Sequence, residues 1–85
     1  MRIALFGTGN LATHFLKAFE RLETISCAQW IGRSEQRPLA NQTPYFNVFQ
    51  NDIEVDICIL AISDDHIAEV AQAFKTNALV VHTAA

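Results

Sequence analysis

Four apolar residues, Ile3-Ala4-Leu5-Phe6, run without a break into Gly7-Thr8-Gly9-Asn10-Leu11-Ala12. No other stretch restricts the fold as much. A run that is apolar at every position reads as a strand covered on both faces, as parallel strands are. After the glycines the period changes. Leu11, Phe15, Ala18 and Leu22 recur at three- and four-residue steps, and Ala12 and Phe19 widen the stripe. Lys17, Glu20 and Arg21 fall largely outside it, which predicts an amphipathic helix opening at Asn10.

The rest of the chain continues the alternation. Ile25 to Ile31 is strand-like and closes at Gly32-Arg33-Ser34. Ser34 to Asn41 has room for one or two helical turns, but Pro38 and its polar composition oppose a long helix. Tyr45 to Phe49 is a short third strand, broken by Gln50-Asn51-Asp52. Val55 to Ile62 is the longest apolar run and the expected best-buried strand. Ser63 or Asp64 then caps a helix with Ile67, Val70, Ala71 and Phe74 on its apolar face, and Asp64 and Asp65 suit the positive end of its dipole. Ala78 to His82 is a further buried strand. Strands alternating with helices imply an α/β fold. The expected form is a parallel Rossmann-type sheet of about five strands in order 3-2-1-4-5, with three layers and right-handed crossovers.

At 85 residues the chain holds one compact unit at most, so residues 1–85 read as one dinucleotide-binding domain with no substrate or dimerisation domain. A composition 51% hydrophobic and 18% charged is that of a globular chain, not a disordered one. The net charge of −3, with no run of Lys or Arg, argues against a nucleic-acid or anionic-membrane partner. No apolar run approaches the roughly 18 residues a membrane helix needs. Cys27 and Cys58 are isolated in apolar stretches, without CxxC spacing, and read as buried reduced thiols. With no secretory signal, the expected compartment is the cytoplasm.

Each position of the glycine motif has a physical reason. Gly7 permits the tight turn out of the strand, and Gly9 lets a pyrophosphate approach the amides at the helix start. Ala12 is small enough for the helix to pack on the strand. An anion there meets unsatisfied N–H groups and the positive end of the helix dipole. The strand before the motif, the helix after it and the second strand within about thirty residues supply the context that a bare G-x-G-x-x-A lacks. The bland alternative is a strand-to-helix turn that uses glycine for geometry alone.

The end of the second strand bears on cofactor choice. An NAD site places Asp or Glu there, about twenty residues past the motif, on the ribose hydroxyls. Here the chain reads Trp30-Ile31-Gly32-Arg33-Ser34, with no acid until Glu35. Arg33 and Ser34 offer a guanidinium fork and a hydroxyl to a 2′-phosphate, which favours NADP over NAD. The bland alternative is a solvent-facing loop arginine. Ser63-Asp64-Asp65 ends the fourth strand on the edge where ligands bind, though capping suits its carboxylates better than an anionic cofactor does. His82 ends the last strand on the same edge, where a proton donor could act. No partner orients it, so a polar strand terminus is the plainer reading and the catalytic residues stay unknown. His14 and His66 read as helix-surface residues, and no metal-ligand pattern appears.

Taken together, GTGNLA, IGRS, ILAISDDHIAEVA and VVHTAA give a chain that resembles the N-terminal domain of a family of uncharacterised bacterial proteins. These join a Rossmann-like domain to a helical domain of unknown function. They are similar in turn to pyrroline-5-carboxylate reductases and deazaflavin-dependent NADP oxidoreductases. The resemblance covers nearly the whole chain. It implies that Gly7, Thr8, Gly9, Asn10 and Leu11 line the pyrophosphate and that Arg33 and Ser34 meet the 2′-phosphate. Ala61, Ile62 and Ser63 would then lie along the nicotinamide half. It further implies hydride transfer to or from a small C=N or C=O substrate, with a C-terminal helical domain completing the pocket and the dimer. Relatives often continue the last motif as His-Thr-Ser-Gly, whereas Thr83 is followed here by Ala84-Ala85.

The expectation is therefore an NADP(H)-binding oxidoreductase domain, catalytically incomplete alone. It would either self-associate or pack against a helical domain through its exposed edges and an uncovered apolar face. A nucleotide-sensing module without redox activity is the alternative, and a remnant without a ligand remains open. A methyltransferase is disfavoured, because Phe6 and Ile31-Gly32 stand where that class wants acids.

Overall fold

The computed structural model describes residues 1–33, 43–62 and 79–82. In chain order these form β1 (Arg2–Phe6), α1 (Asn10–Glu20), β2 (Ser26–Ile31), β3 (Tyr45–Phe46), β4 (Ile57–Leu60) and β5 (Leu79–His82). The five strands make one sheet in order β3-β2-β1-β4-β5, and every neighbouring pair is parallel. This is the small α/β, Rossmann-like arrangement expected from the alternation of apolar runs. Order reverses between β1 and β4, which makes the carboxyl end of that pair the switch point at which open α/β sheets bind ligands.

The strand ends line up. Phe46 pairs with Ile31, Ile31 with Phe6, Phe6 with Leu60, and Leu60 with His82. One row thus crosses all five strands at the carboxyl edge. Gly32, Gly7 and Ala61 stand immediately past it.

Alternate residues of the central strands feed two cores. On one side Leu5, Trp30 and Ala61 meet Ala12 and Leu16 of α1, with Phe15 and Phe19 at the margin. On the other, Ala4, Phe6, Ile31, Cys58 and Leu60 are covered by Phe49, whose ring stacks on Phe6 at 5.8 Å. Burying one such large side chain is worth about 1.5–3 kcal/mol, so central strands apolar on both faces dominate the stability of so short a sheet.

A bulge divides β2. Ile3 pairs with Cys27 but Ala4 with Gln29, so the register shifts by one residue. Strict alternation would put Cys27 and Gln29 on one face. Instead Cys27 packs on the α1 side, while Gln29 turns to the segment that carries Phe49. There its amide accepts from the Gln50 N–H at 2.8 Å and donates to the Gln50 carbonyl at 3.1 Å. A wholly buried glutamine thereby imitates a piece of β-ladder and fastens the covering segment to the sheet.

Several boundaries and faces depart from the sequence-based expectation. Strand β3 stops at Phe46 instead of Phe49; the chain then turns, leaving Val48 61% exposed and Phe49 8% exposed in the core. The helix ends at Glu20, where Arg21 and Leu22 donate to Ala18 and Phe19 in tighter i→i−3 bonds. Leu22 therefore lies off the helical stripe and exposed, Ala18 is exposed too, and the buried positions are Ala12, as expected, and Leu16. Strand β4 is shorter than Val55–Ile62, although Val55 and Ile62 still pack against the core. Strand β5 is an edge strand instead of a buried one, with Leu79, Val80 and Val81 exposed at 64%, 43% and 40%. The helix expected after Ser63 and the turns expected over residues 34–41 lie outside the described residues.

Candidate functional site at the carboxyl edge of the sheet

The β1–α1 turn is built from two glycines with different reasons. Gly7 has φ +123°, a region L side chains rarely adopt, and a Cβ there would fall on the Ala61 carbonyl. Its N–H donates to the Ile31 carbonyl at 2.8 Å, and the Ala61 N–H donates to the Phe6 carbonyl at 2.8 Å. Gly7 is therefore wedged between the ends of β2 and β4. Gly9 is the N-cap of α1, with φ −79° and ψ −170°, and a Cβ there would meet nothing within 4 Å. Neither backbone geometry nor packing among its neighbours requires glycine at this position.

Helix α1 begins without a side-chain cap and without an acid in its first turn. Its first intrahelical bond runs from the Thr13 N–H to the Gly9 carbonyl at 3.1 Å, and the Thr13 hydroxyl donates to the same oxygen. The amides of Asn10, Leu11 and Ala12 precede that bond, as the unpaired donors of a helix start do. The positive end of the helix dipole thus opens on an exposed Thr8-Gly9-Asn10 surface.

Of the residues singled out from sequence, the sheet brings Gly7, Thr8, Gly9, Asn10, Arg33, Ala61 and Ile62 to one edge. Thr8, Gly9, Asn10 and Arg33 are exposed. Leu11 is half-buried against the α1 core, so its backbone, not its side chain, is what it offers to the edge. Ala61 is buried in that same core, and Ile62 packs on the opposite one, which makes both of them walls of the Gly7 turn. Ser34 and Ser63 lie outside the described residues, as do Asp64, Asp65 and His66. His82 closes the row of strand ends beside Leu60. His14 is exposed on α1, as expected.

Charge is sparse at the described carboxyl ends of the strands. Among the described residues that follow the strand ends at 7–11, 32–33 and 61–62, Arg33 carries the only charge. Asp56 lies at the opposite, amino edge, where its carboxylate accepts from the Arg2 N–H at 2.8 Å. The described part of the carboxyl edge therefore combines a helix N-terminus with a cation.

Two contributors were not legible beforehand. The Trp30 indole N–H donates to the Gly7 carbonyl at 2.7 Å, tying β2 to the glycine turn. Tyr45, from β3, sets its ring edge-on to Trp30 at 4.9 Å and brings its hydroxyl over Gly32. A buried indole must find an acceptor, but only the sheet order says which one.

The cysteines stand apart from this edge. Both are free; Cys58 is buried on the Phe49 side and Cys27 half-buried on the α1 side, so the sheet separates them. Burial pushes the Cys27 thiol up to about 11, only partly offset by hydrogen bonding to backbone of Gln29 and Leu5. Among the described residues no group of His, Cys, Asp or Glu is placed to hold a metal ion, and no helix is long and apolar enough to cross a membrane. Comparison of the chain with protein-family models, curated proteins and solved structures finds no match.

Proposed function

We propose that the chain is an NADP(H)-binding domain of an oxidoreductase that transfers hydride to or from a small C=N or C=O substrate. The observation that carries the reading is Gly9. It caps an otherwise uncapped helix start at the switch between β1 and β4, and the space its missing side chain leaves is open. A pyrophosphate fits that description: it needs close backbone approach, free amides and a positive dipole.

Arg33 supports NADP over NAD. It is exposed one residue past Gly32, where an NAD site would carry its acid. In this reading Gly7, Thr8, Gly9, Asn10 and Leu11 hold the pyrophosphate, and Arg33 with Ser34 takes the 2′-phosphate. Ala61, Ile62 and Ser63 border the nicotinamide half. The nicotinamide supplies the redox chemistry when bound, and the protein's share is binding and orientation. The resemblance to reductases that pair such a domain with a helical one is part of the same proposal, as is a cytoplasmic setting. The exposed apolar side chains of β5 suit a covering partner, either a second copy or a helical domain.

Isothermal titration calorimetry with NADPH and NADH, on wild type and Arg33→Ala, tests the reading. NADPH binds more tightly, and Arg33→Ala removes most of the difference, on the order of 1.5–3 kcal/mol for a charge-assisted contact. Absence of binding by either cofactor at millimolar concentration would overturn it.

A further inference from the structure

Position 32 is where an acid would convert this edge to ribose recognition, and it is glycine for a reason that lies in two other side chains. Gly32 does not have a left-handed backbone; among the glycines only Gly7 does. Any L residue could adopt its conformation. A Cβ there would nevertheless come within 2.5 Å of Thr8 Cγ2 and within 2.5 Å of the Tyr45 hydroxyl, with Tyr45 Cε1 at 3.1 Å. Real Cβ atoms do not approach that closely. Thr8 and Tyr45 therefore already fill the side-chain space of position 32.

Tyr45 is the obstacle that does not move aside cheaply. Tyr45 pairs with Trp30 in the ladder, between the Trp30 N–H bond to the Pro44 carbonyl at 2.8 Å and the Gly32 N–H bond to the Phe46 carbonyl at 3.1 Å. Its ring rests edge-on against Trp30 at 74°, and Trp30 is itself held by its bond to the Gly7 carbonyl. Swinging the phenol away from Gly32 breaks that aromatic contact and uncovers the indole face it rests on. Thr8 is exposed, and turning it about χ1 to another staggered well carries Cγ2 away from position 32, which leaves Tyr45 as the deciding wall.

We propose that Tyr45 is a specificity-determining residue of the nucleotide site. With Thr8 it occupies the room that a ribose-binding carboxylate at position 32 would need, which leaves the 2′ position to Arg33. The inference rests on the cofactor reading above and deepens it: packing across β2 and β3 keeps a ribose-binding acid out of position 32, and the cation beside it is left to meet the 2′-phosphate. Tyr45 acts by excluding a side chain, so its effect appears only when position 32 is changed.

The test is a cycle of Gly32→Asp, Tyr45→Val and the double variant, read by thermal unfolding and by NADPH and NADH titration. Gly32→Asp alone lowers the unfolding midpoint and gains no NADH binding. In the double variant the midpoint recovers toward that of Tyr45→Val. The NADPH to NADH affinity ratio then falls by about tenfold or more, as the gain of one hydrogen-bonded contact and the repulsion of a phosphate imply. If Gly32→Asp binds NADH by itself at undiminished stability, Tyr45 excludes nothing and the proposal fails. Recovered stability with an unchanged cofactor ratio also overturns it, while NADPH binding by wild type leaves the function reading intact. Binding of neither cofactor by wild type removes both. Should an aspartate variant not fold, Gly32→Ala with and without Tyr45→Val decides the steric core, because additive losses of stability would overturn it.

Discussion

The indole N–H of Trp30 reaches across from β2 to the carbonyl of Gly7 at 2.7 Å, in a buried bond that joins the second strand to the turn leaving the first. It fixes the direction in which the β1–α1 turn leaves the sheet, and with it the position of the helix N-terminus. Trp30 also anchors Tyr45, so one side chain sets both walls of the candidate nucleotide edge.

Trp30→Phe keeps an aromatic ring and removes the donor. The Gly7 carbonyl then loses its indole partner, and stability falls by about 1–3 kcal/mol. Urea unfolding measures this, and an unchanged midpoint would show that the bond contributes nothing to holding the turn.

The two motif glycines respond differently to alanine. Gly7→Ala meets both a disfavoured φ and the Ala61 carbonyl, and costs on the order of 3 kcal/mol or prevents folding. Gly9→Ala meets no neighbour and costs about 1 kcal/mol or less as an N-cap change, yet it weakens NADPH binding by obstructing backbone approach. Circular dichroism melts compared with calorimetric titration separate the two effects. Equal cofactor affinity in Gly9→Ala and wild type would count against the pyrophosphate assignment.

Replacing Gln29 by Leu preserves bulk and discards both bonds to Gln50. The Gln50 N–H and carbonyl then lose their partner, which costs roughly 2 kcal/mol or more and loosens the segment carrying Phe49. Hydrogen exchange at the Gln50 amide reports this directly. Exchange as slow as in wild type would mean that packing alone holds the segment.

The raised Cys27 thiol carries a defined pH dependence. Its folded value of about 11 lies above the ordinary 9.0, so the folded state holds the proton where the unfolded chain releases it. The stabilisation is complete below pH 9 and is lost as pH rises from 9 through 11. Cys27→Ala flattens that part of the stability profile. Labelling with a maleimide at pH 7.5 is slow at Cys27 in the folded protein; rapid modification there would contradict a desolvated, protonated thiol.

Much of the fold was legible because hydrophobic period reports burial directly. Ile3–Phe6 and the heart of Val55–Ile62 are apolar at each step, and both proved to be central strands of a parallel sheet. The limits of elements were less legible, since they depend on partners. Val48 reads as strand by composition, yet β3 pairs with β2 only through Tyr45 and Phe46 before the chain turns Phe49 beneath Phe6. Leu79, Val80 and Val81 read as buried because they are apolar, but β5 has a described neighbour on one side only.

By itself the sequence determined the strand–turn–helix unit at residues 2–20, the parallel alternation and the place of the glycine turn, because these follow from local period and from the steric freedom of glycine. Tertiary structure alone decided why Gly32 lacks a side chain, where Trp30 finds its acceptor and how Gln29 comes to face Gln50. Those outcomes depend on register and on a single-residue bulge between β1 and β2. A one-residue shift exchanges the faces of a strand, and no local pattern in the chain records it.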